Sequence, residues 1–107
     1  MDIIDEVKQF HNQMIDWRRK IHMHPELGFE EVLTSDFIAQ KLEEFGIETH
    51  RGLAKTGVVG KIVNGHGPSI GLRADMDALP LEEKNMFKHS SKNPGIMHAC
   101  GHDGHIS

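Results

Sequence analysis

The 107-residue sequence predicts an α/β layer structure in which two helices precede a set of strands. Two observations carry this. Before Gly46 the apolar residues recur in steps of three and four; after it they fall in short β-branched or alternating runs. From Asp75 onward the periodicity fades into a Pro- and Gly-punctuated loop of the kind a compact domain keeps for function.

The first helix is marked by Ile3, Val7, Phe10, Met14, Trp17 and Ile21 along one face. Asp2 is its N-cap, and Asp5 and Glu6 suit the positive end of the dipole. It ends near Ile21 or His22, because Pro25 keeps His24 out of the helical region. A second amphipathic helix is expected over residues 30–45, with Phe37, Ile38, Leu42 and Phe45 on its core face and Glu30 and Glu31 in its first turn. Gly46 sits where a left-handed C-cap belongs. Strands follow at 47–50, 57–63 and 68–74, the last two joined as a hairpin across Asn64-Gly65-His66-Gly67.

Composition excludes several classes. The length allows one domain. Twelve Lys and Arg against sixteen Asp and Glu, with a net charge of −4, leave no basic footprint for nucleic acid or an anionic membrane. One cysteine cannot form an internal disulfide. An acidic N-terminus and the lack of a membrane-length apolar run predict a soluble, cytoplasmic chain.

The densest chemistry is His98-Ala99-Cys100-Gly101-His102-Asp103-Gly104-His105. Imidazole and thiolate are preferred zinc ligands. With nine histidines in the chain Cys-x-His alone is a weak signal, but four His or Cys within this stretch is a stronger one. An inert loop is the competing reading. The second constellation is the strand end at Asp75 and Asp77, two carboxylates that would share a face. They are either a solvated strand end or partners that orient a metal-bound histidine. Arg73 within that run is as readily a structural ion-pair partner as a substrate clamp. Arg18, Arg19, His22 and His24 read as a polar helix end meeting a turn, and His11, His50, His66 and His89 as surface residues.

Four motifs in this order, RRKIHMHPELGFEE (18–31), TGVVGKI (56–62), GLRADMDALP (71–80) and HACGHDGH (98–105), resemble the M20 metallopeptidase family. The nearest branch contains hippurate hydrolases, N-acyl-L-amino-acid amidohydrolases and auxin-conjugate hydrolases. The resemblance implies the N-terminal part of a zinc-peptidase-like catalytic domain over residues 1–107, with the lid domain absent. It implies metal-dependent hydrolysis of small-molecule N-acyl amino acids at a site of two divalent ions (Mn, Zn or Co), in proteins that are often homodimers or tetramers. Carried over by position, Cys100 and His102 become metal ligands and Asp77 the carboxylate that orients the site. Asp75 stands where other branches carry a ligating His, and with His98, Asp103 and His105 it is a candidate for the ring of residues around the ligands. The family's general-base Glu, a further ligating Glu and two more His ligands have no counterpart among these residues. The alternative is therefore an inactive fragment or interaction module that binds metal weakly.

Overall fold

The structure, a computed structural model, describes residues 2–107. Its elements are α1 (Ile3–Lys8), α2 (His11–Met23), α3 (Val32–Glu44), β1 (Glu48–Leu53), β2 (Gly57–Lys61) and α4 (His102–His105). Helices precede strands as predicted, and the two strands form one antiparallel sheet. None of the helices is long and apolar enough to cross a membrane, the described residues alone being considered.

The single predicted N-terminal helix is two helices. Asp2 does cap α1, accepting from the Ile4 N–H at 2.9 Å. The amides of Gln9 and Phe10 then donate to Glu6 and Val7 at 3.1 and 3.0 Å, tight three-residue bonds that close the helix. α1 buries none of its residues, so no packing holds α1 and α2 in one register. Its apolar positions stay open, Ile3 at 75% and Val7 at 50% exposure.

α3 starts at Val32 rather than residue 30. Phe29 adopts φ +66°, a conformation a bulky side chain rarely takes, and it interrupts any earlier helical turn. The cap comes instead from Glu26, whose carboxylate accepts from the Leu33 and Thr34 amides at 3.1 and 2.7 Å and from the Thr34 hydroxyl at 2.7 Å. At the other end Gly46 takes φ +73°, its amide donating to Glu43 at 2.9 Å while the Ile47 amide donates to Leu42 at 3.0 Å. This paired arrangement is the Schellman motif that a Gly past the last turn permits.

The hairpin is displaced from its predicted place. β1 pairs with β2 in the register Glu48↔Lys61 to Leu53↔Gly57, through a turn in which Ala54 and Lys55 both have positive φ. No hairpin crosses residues 64–67, and residues 68–74 form no strand. Ile70 and Leu72 there are 89% and 96% exposed, having no partner strand among the described residues to pair with. The ribbon lies on α3, and a Cβ added at Gly60 would come within 3.2 Å of Leu42, so glycine lets the two approach.

Ile21, Pro25, Ala39 and Ala78 are buried. So are His22, Glu31, Thr34, Ser35, His98 and Asp103, an unusually polar interior. The predicted core face of α3 is only half covered; Phe45 remains 55% exposed and meets Trp17 edge-on at 6.1 Å. The long loop after Asp77 is tied down by backbone bonds. Leu79 and Met97 exchange bonds of 2.9 and 3.0 Å, the Ala78 amide reaches Glu26 at 2.8 Å, and the Lys92 amide reaches Met23 at 2.9 Å. These bonds bring residues 75–79 and 98–105 against the end of α2.

Candidate metal centre

His102 opens α4, behind Gly101 at φ +81°. Its Nδ1 lies 2.9 Å from both the main-chain oxygen and the carboxylate Oδ1 of Asp77. A main-chain oxygen can only accept, so Nδ1 carries the proton and Nε2 is left with its lone pair when the ring is neutral. Nε2 is 3.9 Å from Asp75 Oδ2, too far for a hydrogen bond. Asp75 is engaged elsewhere, accepting from the Arg73 guanidinium at 2.6 Å in a pair whose arginine is 84% exposed. Cys100 is an exposed free thiol two residues before His102. His105, also exposed, stands with its ring centroid 6.1 Å from that of His102.

Asp103 faces away from this group. It is 3% exposed, its Oδ2 accepting from His22 Nδ1 at 2.8 Å with Arg18 Nε at 3.3 Å. The other nitrogen of His22 reaches both oxygens of Glu83, at 3.0 and 3.1 Å. Glu83 in turn accepts from the Ser91 amide at 2.6 Å and the Asn85 side chain at 2.9 Å. Burial raises the Glu83 carboxyl, but the bonds from Asn85, Ser91 and His22 outweigh it and hold the group below the usual glutamate value. Each ring nitrogen of His22 thus faces a carboxylate, Nδ1 that of Asp103 and Nε2 that of Glu83. The sequence reads His22 as part of a plain polar helix end; it is instead the centre of a buried hydrogen-bond network. The i, i+4 spacing of Arg18 and His22 was the available signal that both serve one face. Glu83, in an irregular loop, had none. His89 is also not a simple surface residue, stacking on Phe87 with centroids 4.0 Å apart.

His98 is 4% exposed, and neither ring nitrogen has a hydrogen-bond partner among the described residues. Burial pushes its imidazole below the usual histidine value, and the nearby His22 and His102 act in the same direction against the charges of Asp103 and Asp77.

Cys100 and His102 supply the soft sulfur and nitrogen donors that zinc-like ions take. Among the described residues no three His, Cys, Asp or Glu side chains gather into a group able to hold a metal ion. The donor set thus fits part of a divalent metal site and does not close one.

The family model described as "Peptidase family M20/M25/M40" matches residues 71–107, the segment that carries Asp75, Asp77 and the Cys100–His102 loop. The whole chain is 49% identical to the hippurate hydrolase of Campylobacter jejuni. The chain belongs to the M20 peptidase family. This M20 chain is likewise 49% identical, over 98% of its length, to the N-acyl-L-amino acid amidohydrolase of Geobacillus stearothermophilus. It spans about 28% of the length of each of these curated relatives. Among solved structures, the Bacillus subtilis YXEP protein, described as a dinuclear metal-binding peptidase of the M20 family, superposes with a TM-score of 0.86 at 48% identity. That match covers 92% of this chain and 28% of the other, in keeping with an N-terminal part of the M20 catalytic domain in which helices precede strands.

Proposed function

We propose that this M20 chain supplies one part of a dinuclear metal site in an amidohydrolase that cleaves N-acyl amino acids of the hippurate type. The observation that carries the reading is the geometry of His102. Asp77 holds the proton on Nδ1 through two 2.9 Å contacts, which leaves Nε2 as the donor nitrogen beside the exposed Cys100 thiol. A carboxylate or carbonyl on the far nitrogen is the usual companion of a metal-ligating histidine. The similarity to a hippurate hydrolase and to a structure described as dinuclear supports the substrate class and the metal count.

Cys100, as a thiolate, and His102, through Nε2, would hold the ion, with Asp77 fixing the tautomer of His102. A bound divalent ion supplies Lewis acidity, lowering the pKa of a water and polarising the scissile carbonyl. Two donors fall short of the three protein ligands a catalytic zinc site uses. The 107-residue chain on its own therefore binds metal weakly and does not turn over substrate.

Titration with Co²⁺ tests this, because a cobalt–thiolate bond has its own charge-transfer absorption. The expected result is weak Co²⁺ binding with that absorption, lost in Cys100→Ala and weakened in His102→Ala. Binding indifferent to both substitutions would overturn the ligand assignment. Release of glycine from hippurate by the isolated chain, abolished in Cys100→Ala, would overturn the statement that the site is partial.

A further inference from the structure

We propose that His22 is the positioning residue for His102, acting through Asp103 to set the rotation of the metal-loop helix; this rests on reading His102 as a metal ligand. α4 is a single turn of four residues, and no side chain caps it. One turn of helix is too short to define its own placement, since nucleation costs more than one hydrogen bond returns. What places it are the side chains of its first two residues. His102 turns to Asp77, a residue on an irregular segment whose own side chain is 40% exposed. Asp103, the next residue, points about 100° away around the helix axis. It enters the interior to meet His22 at 2.8 Å. Two anchors in different directions fix the rotation of the turn, so releasing Asp103 frees His102 to swing from Asp77.

His22 is suited to be the fixed end of this tie. It lies near the end of the thirteen-residue α2, is 3% exposed, and its second nitrogen is held by Glu83 at 3.0 Å. Its ring cannot follow Asp103 if the metal loop shifts. Position in α2 is thereby transmitted to the ligand-bearing turn through the His22–Asp103 hydrogen bond, with Arg18 of the same helix 3.3 Å from the same Asp103 oxygen.

Two isosteric substitutions separate this role from simple support. Asparagine places its amide nitrogen near Nδ1 of histidine, and glutamine places its own near Nε2. His22→Asn therefore keeps the donor to Asp103 and loses the one to Glu83, while His22→Gln does the reverse. Both remove the ring. The first readout is the ¹⁵N-attached proton of His102 Nδ1 in the metal-free chain, observed by NMR; the second is Co²⁺ affinity. We expect His22→Gln to lose the His102 proton resonance and to weaken Co²⁺ binding about tenfold, with His22→Asn close to the unsubstituted chain. Equal behaviour of the two variants, or a His102 resonance unchanged in folded His22→Gln, would overturn the proposal. Should neither variant fold, proton exchange in the unsubstituted chain decides. The Nδ1 protons of His22 and His102 should then exchange through one opening event, with matched response to low denaturant; independent exchange of His102 overturns the tie. If Co²⁺ never engages Cys100 or His102, the metal reading fails, and the NMR readouts still decide the positioning role.

Discussion

His102 Nδ1 lies 2.9 Å from both the main-chain oxygen and the carboxylate of Asp77, so one residue fixes the tautomer of the other twice over. The consequence is a division of labour. The main-chain contact survives any substitution at 77, whereas the carboxylate also raises the basicity of the ring.

Asp77→Ala should therefore weaken Co²⁺ binding about 10- to 100-fold without abolishing it. The Asp77 side chain is 40% exposed, so the unfolding midpoint should move little. Parallel cobalt titrations and thermal melts check both halves. Unchanged affinity would show that the carboxylate does not tune His102.

A second prediction concerns the start of α3. Glu26 accepts three hydrogen bonds from Leu33 and Thr34, standing in for the N-cap side chain that Glu31 does not provide. Glu26→Ala should destabilise the chain by about 1–2 kcal/mol, and Glu26→Gln, which keeps an acceptor oxygen, by less than half as much. Urea unfolding midpoints measure the difference. Equal losses would mean that the charge, and not the cap geometry, is what matters.

The two helices and the change to strands were legible because each leaves a period in the sequence, and Gly46 was legible because only a left-handed C′ residue ends α3 as observed. The break between α1 and α2 was hidden, since the apolar steps continue across Gln9 and Phe10. The hairpin was misplaced because its turn uses Ala54 and Lys55 at positive φ, where turn rules look for Gly, Asn or Asp. Residues 68–74 have strand composition, but pairing is non-local and composition cannot supply a partner. Asp77 and His102 were singled out by motif resemblance, but their direct contact was not. The tie from His22 to Asp103 and Glu83 spans 81 and 61 positions, from the end of α2 to the single turn of α4 and to an irregular loop, and such bonds leave no periodic trace.

His98 gives a third prediction. A buried ring with two unpaired nitrogens forgoes its hydration, at a cost of about 1–3 kcal/mol for an unsatisfied group. His98→Leu should leave stability at pH 8 unchanged or raise it by about 1 kcal/mol. The advantage should grow in acid. The folded ring is held below the usual value of 6.5, so the unfolded chain takes up the extra proton as pH falls past that value, and the original chain loses stability there while the variant does not. Denaturant titrations at pH 8 and pH 5.5 provide the comparison. A clear loss at pH 8 would instead indicate that an ordered water or ion pairs those nitrogens.

The last prediction follows from Glu83, whose side chain is 3% exposed against His22. Its carboxyl is raised by burial but lowered further by Asn85, the Ser91 amide and His22, so the folded value lies below the usual 4.5. A depressed carboxyl contributes stability in full above its unfolded value and loses it as pH falls through the folded one, because the unfolded state binds the proton first. Glu83→Gln removes the charge but keeps an oxygen for one of the three donors. At neutral pH it should cost about 1.5–3 kcal/mol, the scale of a hydrogen bond to a charged group. Below pH 4.5 the difference from the unsubstituted chain should shrink, since protonation brings the original carboxyl to the neutral state that glutamine mimics. Adding His22→Asn, which loses the donor to Glu83, should make the Glu83→Gln effect smaller than it is alone, because the two residues share one network. A stability difference that stays constant from pH 7 to pH 3, or effects of the two substitutions that simply add, would separate Glu83 from His22 energetically and leave the 3.0 Å contact without a role in stability.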